Sequence, residues 1–212
     1  MMKMHVLVAC LAGWFGAAVA TAQIPMYPDR FPPIPGDKMT DVQKKVVADI
    51  TSGPRGGFAG PFVPLLRSPE LESRLQKVGE YLRYNAAIGR RNTEFVILLT
   101  ARSWSQQFEW GQHAPIAQRE GIEPAKISAI ADGRRPPNMT DEEEMLYNFA
   151  DELLRNKSVS EPTFTRVKAK FGEQGVIDVT ALMGYYTTLA MIMNVAQTPG
   201  EKGAPHLPAF PR

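Results

Sequence analysis

Between positions 176 and 196 the chain is apolar on most sides and almost uncharged. A run of about 21 residues is long enough to cross a bilayer. Asp178, Asn194, the paired Tyr185 and Tyr186, and the threonines Thr180, Thr187 and Thr188 interrupt it with polar groups. Those groups argue for a buried central helix or a subunit interface rather than a membrane span, because each needs a partner that lipid does not offer.

The remaining periodicity is helical. Thr40-Asp41-Val42-Gln43 and Thr140-Asp141-Glu142-Glu143 have the form of capping boxes and predict helix starts. Ser68-Pro69 predicts another, with serine as cap and proline in the first turn. Leu71, Leu75, Val78 and Leu82 then fall at spacings of four, three and four, which makes one inward helical face. Leu146, Phe149, Leu153 and Leu154 give a second such face, and Phe164, Val167 and Phe171, after a cap at Ser160, a third. A helix from about Asn92 is expected to stop at Ser103-Trp104-Ser105. The next runs to Gly121, with Pro115 kinking it or starting a new turn. A short helix from Pro124 to Asp132 closes at Gly133, and Arg134 and Arg135 belong to a solvated connector. No strand pattern competes. The expected fold is all-α, seven or eight helices in one domain over residues 40–198, flanked by a proline-rich arm (23–39) and a proline-rich tail (199–212).

The first residues read as a secretory signal: Lys3, an apolar stretch from Val6 to Val19, and Ala20-Thr21-Ala22 as a small-x-small cleavage site, giving a signal peptide over 1–22. This implies an exported protein, periplasmic or secreted, that keeps no membrane segment after cleavage. The apolar stretch is short for a stable anchor. Leu7-Val8-Ala9-Cys10 resembles a lipoprotein box, with too little apolar chain ahead of it to favour lipidation. Cys10 is the single cysteine of the 212 residues, so the chain after the signal has no thiol. With 24 basic and 22 acidic residues interspersed, the net charge of +2 leaves no footprint for nucleic acid.

Histidine is scarce: His5, His113 and His206. His5 lies in the signal and His206 in the tail, where exposure is expected. His113 stands four residues after Glu109, so the two share a helix face. A carboxylate beside an imidazole raises the imidazole pKa, which would suit His113 to proton transfer near neutral pH. The plain alternative is an exposed pair of little consequence. Glu109 and His113 offer two metal ligands where zinc needs at least three, and nothing in the sequence fixes Glu94 as the third, so no metal is expected. Trp104, Phe108 and Trp110 could wall a pocket for a flat substrate or be ordinary core. Arg55, Arg83 and Arg102 are candidate anchors for a substrate carboxylate, with plain surface residues as the alternative.

Glu94, Glu109-Trp110 and His113, with Gly53-Pro54-Arg55-Gly56-Gly57 and Gly60-Pro61-Phe62 upstream and Gly184-Tyr185-Tyr186 downstream, resemble the carboxymuconolactone decarboxylase-like family of the alkylhydroperoxidase D superfamily, over residues 45–196. The resemblance implies an AhpD-like helical bundle, and a homo-oligomer that is a trimer or a multiple of it. It also implies a site of His113, Glu109 and Glu94, with Phe62 and Tyr186 added to the binding residues. The peroxidase branch carries two cysteines, which would fall on Gln106 and Glu109 here. A peroxiredoxin reading is therefore chemically unsupported, since neither residue yields a thiolate. The decarboxylase branch implies a cofactor-independent carbon–carbon lyase. The substrate would be a small carboxylated or lactone compound, with the lactone as electron sink, arginine holding it and histidine delivering a proton. The alternative is a non-catalytic helical binding or assembly protein that retains the fold.

Overall fold

A computed structural model describes residues 28–208. The expected signal segment with Cys10, the start of the arm and the last four residues lie outside the described residues. Among those described there is no strand. A 3-10 turn at Gly36–Lys38 precedes eight helices: α1 (Asp41–Thr51), α2 (Phe62–Leu65), α3 (Pro69–Tyr84), α4 (Arg90–Ser103), α5 (Gln107–Arg119), α6 (Pro124–Ala131), α7 (Asp141–Asn156) and α8 (Glu161–Ala196). The all-α expectation holds.

Both capping boxes form. Thr40 Oγ1 accepts from the Gln43 amide at 3.3 Å while Gln43 Oε1 accepts from the Thr40 amide at 3.0 Å. Thr140 and Glu143 repeat the exchange at 3.2 and 2.7 Å. Ser68 and Ser160 stand at the starts of α3 and α8 without a side-chain cap bond. Proline in the first turn, with its preset φ, opens each of these helices instead. The Ser160 amide and hydroxyl turn to Glu152 on α7. Arg134 and Arg135 are ion-paired at the surface, to Asp132 and Glu144.

The central helix is α4. Phe95, Val96, Ile97 and Leu98 are consecutive and all 0% exposed. Four neighbouring positions cover every direction around a helix, so α4 is surrounded, by α5, α7 and α8 above all. The segment 176–196, expected as a buried central helix or a subunit interface, is the second part of a longer helix and is not buried on every side. The second part of α8 buries Val179, Leu182, Tyr186, Leu189 and Met193 but leaves Ile177, Met191 and Val195 half exposed or more. By length and composition α8 could cross a membrane, yet 56% of its most apolar window is buried. Gly172, at φ 71° and ψ −179°, breaks α8 into two helical pieces.

Polar pins tie the layers together. Asp178 of α8 accepts the Ala87 amide at 2.8 Å and the Tyr81 hydroxyl, so α8 is fixed to the α3–α4 connection. Lys126 of α6, 1% exposed, is satisfied by Glu143 of α7 at 2.9 Å and by Glu123. A smaller apolar cluster, Val46, Ile50, Phe62 and Leu66, seats α1 and α2 on the main body. The arm crosses the end of α8, where the Arg30 amide donates to Ala196 O at 2.8 Å. The tail also packs in: Leu207 is buried, and its amide and carbonyl both bond Gln107.

α3 and α5 differ in detail from the sequence pattern. The inward side of α3 is Glu72, Gln76, Gly79 and Leu82, while Leu71 and Val78 are 45% and 47% exposed. The spacing that joined four apolar residues identified a real helix face, but that face is tilted outward. Pro115 starts no new helix; α5 continues through it to Arg119.

Candidate active site

The α4–α5 connection sets the site. Trp104 ends α4, and Ser105 turns the chain at φ 49°. Gln106 caps α5, its Oε1 accepting the amides of Phe108 and Glu109 at 2.6 and 3.1 Å. The residue at the first of the two positions where the resemblance implies cysteine thus has a helix-capping task. Opposite, Gly60 holds φ 60°, and a Cβ there would lie 2.1 Å from the Phe108 ring. Only a glycine lets the 53–61 loop lie this close over α5.

Glu94 of α4 and His113 of α5 meet across this corner. His113 Nδ1 lies 2.6 Å from Glu94 Oε2, and Glu94 is 0% exposed. Arg90 Nη2 and Arg83 Nε stand 3.3 and 3.8 Å from the other oxygen, Oε1. Burial alone would push the Glu94 pKa up; His113, Arg83 and Arg90 outweigh it and hold it below the usual value. Burial pushes the His113 pKa down, and the pull of Glu94 does not restore it against the two arginines. The raised imidazole pKa expected from the sequence is therefore corrected to a lowered one. A neutral ring beside an ionised carboxylate must carry its proton on Nδ1, which leaves a lone pair on Nε2. Tyr186 stands edge-on to the ring, centroids 5.2 Å apart.

The expected partnership of Glu109 with His113 is also corrected. They share a face of α5, but Nδ1 points across to α4, and no hydrogen bond or ion pair joins the two among the described residues. Both Glu109 carboxyl oxygens are buried without a hydrogen-bond partner there. Burial raises its pKa well above the usual carboxylate range.

His113, Glu109, Arg55, Arg83, Phe62 and Tyr186 line one cavity of about 140 Å³ with Phe108, Gln112 and Leu189. Arg55 leans on the Phe62 ring, 5.0 Å to its centroid, and donates to Gln76 O at 3.4 Å. Three sequence candidates are elsewhere. Arg102, two turns along α4 from Glu94, lines a second cavity with Tyr147 and Leu154 and donates to Pro208 O at 2.7 Å. Trp110 belongs to the core, 2% exposed, and does not line the cavity. Trp104 donates from Nε1 to Thr187 Oγ1 at 3.1 Å and does not reach the cavity, because it ends α4 rather than lying on α5. No group of three or more His, Cys, Asp or Glu among the described residues is arranged to hold a metal.

Two features were not read from the sequence. Gln112 lies beside His113 and lines the cavity, and nothing in its spacing marked it. Tyr185 packs behind Arg55, over Gly79. A glycine in the middle of α3 is the signal that could have pointed to that close approach.

The fold has a solved counterpart. The chain is similar to the alkylhydroperoxidase AhpD core structure of an uncharacterized peroxidase-related protein from Ralstonia eutropha JMP134, with a TM-score of 0.68 and 13% identity over 82% of this chain and 94% of that one. This defines the molecule as an all-helical protein of the AhpD-like fold. No protein-family model matches the chain, and no curated protein matches it.

Proposed function

We propose that the cavity is the active site of a cofactor-independent lyase or isomerase, carboxymuconolactone decarboxylase-like, acting on a small carboxylated or lactone compound. The observation that carries this reading is the 2.6 Å contact between His113 Nδ1 and Glu94 Oε2 at the wall of a cavity that Arg55 and Arg83 also line. Glu94 orients the imidazole and fixes its tautomer; Nε2 is then free to act as a base. The arginines supply planar, charged donors that suit a substrate carboxylate. In a decarboxylation, the electron pair of the breaking carbon–carbon bond would pass through a double bond into the lactone carbonyl. A cavity of about 140 Å³ suits a single small ring, since about 150 Å³ holds benzene. Thiol peroxidase chemistry is not part of the proposal, because no residue after Cys10 is a cysteine.

Purified protein screened against unsaturated lactones and aromatic carboxylates tests the reading. Turnover that His113→Gln abolishes supports it. Turnover that survives in a folded His113→Gln chain, or no turnover and no binding across the screen, would shift the weight to a non-catalytic binding protein. The proposal includes export with cleavage after Ala22, which an intact Met1 in the mass spectrum of native protein would refute. It also includes assembly into a trimer or a multiple of it.

A further inference from the structure

We propose that Glu109 is a second catalytic group of this cavity, donating a hydrogen bond and a proton to the carbonyl oxygen of a small planar substrate that carries both a carboxylate and a conjugated carbonyl. The inference rests on the function proposed above and divides its acid and base work between two residues.

The geometry leaves Glu109 no structural task. It is 3% exposed and lines the cavity one turn before His113. Its amide is held by Gln106, so the helix start is already capped and does not use the Glu109 carboxyl. The cations nearby have other partners: Arg83 lies toward Glu94, and Arg55 toward Gln76 O and the Phe62 ring. Both carboxyl oxygens remain without a hydrogen-bond partner among the described residues. A buried polar group left this way carries its full desolvation cost, which a bound carbonyl oxygen would relieve. Burial also favours the protonated form, and an undissociated acid in an apolar setting is a strong donor to a developing oxyanion. The groups facing it are His113, Arg55, Arg83 and Tyr186 around the cavity, with Tyr185 close behind.

The two residues complete a balanced step. His113 Nε2 takes a proton from the saturated carbon at the far end of the conjugated system. The C–H pair becomes a new carbon–carbon double bond, the old double bond shifts to the bond beside the carbonyl, and the carbonyl π pair moves onto oxygen against the Glu109 hydroxyl. Return of the proton from His113 to the carbon next to the carbonyl gives an isomer without any co-reactant. Where carbon dioxide leaves instead, the broken carbon–carbon pair follows the same path. Glu109 then supplies the proton that a neutral His113 does not carry, and recovers it from water.

The probes are 2-furoate, which has only the carboxylate, and 5-formyl-2-furoate, which adds the conjugated carbonyl. The infrared difference between wild type and Glu109→Gln at pH 7 should contain the carbonyl stretch of an undissociated carboxylic acid; the subtraction removes Glu72. In the wild type this band should shift when 5-formyl-2-furoate binds and stay in place with 2-furoate. In Glu109→Met, which keeps volume but no donor, the preference for the formyl compound should fall about tenfold. An absent band, or a band unmoved while both probes bind, would overturn the role of Glu109 and leave the wider function standing. Failure of both probes to bind would overturn the two together.

Discussion

The Tyr185 hydroxyl occupies the space into which any side chain at position 79 would grow: a Cβ on Gly79 would lie 2.1 Å from that oxygen and 2.6 Å from Arg55 Nη2. Alanine is the better helix former by about 1 kcal/mol, so on propensity alone Gly79→Ala would stabilise α3. The ring of Tyr185 is 5% exposed and has little room to retreat, so overpacking wins. Gly79→Ala is expected to lose about 1–3 kcal/mol in denaturant unfolding and to weaken 2-furoate binding by displacing Arg55. A more stable protein with unchanged binding would refute this close packing.

His113 should titrate below the ordinary imidazole value of 6.5 in nitrogen NMR, because burial and two arginines outweigh Glu94. Since the folded chain then binds this proton less readily than the unfolded chain, stability rises with pH up to about 6.5 and is lost toward acid. Turnover should rise over the same window as the Nε2 lone pair is freed. His113→Gln keeps a donor for Glu94, so its Tm should change little while turnover falls about 10²–10⁴-fold. Glu94→Gln should lower turnover less.

Glu72 gives the opposite sign. It is 0% exposed, neither oxygen has a partner among the described residues, and burial raises its pKa to about 8. The folded chain holds this proton where the unfolded chain releases it, so stability falls as pH rises from 4.5 to about 8. Glu72→Gln should flatten part of that fall and leave the protein about 1–3 kcal/mol more stable than wild type at pH 9. Melting curves from pH 5 to 9 decide it; parallel curves for the two chains would contradict the assignment.

Assembly is expected through the outer side of α8. Ile177, Ala181, Gly184, Thr188, Met191 and Val195 are all exposed and recur at spacings of four and three, a seam that fits another helix. Ile177, Met191 and Val195 are 67%, 50% and 62% exposed. Light scattering should report an oligomer, and Ile177→Glu with Met191→Lys should yield monomers of unchanged helical content. A wild-type monomer at micromolar concentration would rule the seam out.

How much of this was readable beforehand follows from which interactions are local. Thr40 with Gln43, Thr140 with Glu143 and the stop at Ser103 to Ser105 depend on neighbours in sequence, and the helices begin and end there. The facing of α3 was misread, because Leu71 and Val78 obey the helical period whichever way the helix is rolled, and only packing sets the roll. The site shows the same division. Glu94, Glu109 and His113 were named together, but spacing on one helix could speak only for Glu109 as a partner of His113. The hydrogen-bond partner is Glu94, on another helix, which packing alone brings close, and the pKa shift has the opposite sign because burial and two arginines outweigh that carboxylate. Arg102, Trp104 and Trp110 were grouped with the site by nearness in sequence; α4 and α5 turn them to other sides.

The tail contact between Gln107 and Leu207 spans 100 residues and fastens the first turn of α5, the helix that carries Glu109 and His113. A ribosome makes a chain vectorially, so α5 emerges long before the segment that clasps it. Contacts of such separation form late, because the intervening loop must close first. The corner between α4 and α5 is thus among the last parts to become rigid during biosynthesis. If the proposed export holds, the polypeptide is threaded across a membrane before it folds, and such a delay is an advantage rather than a defect.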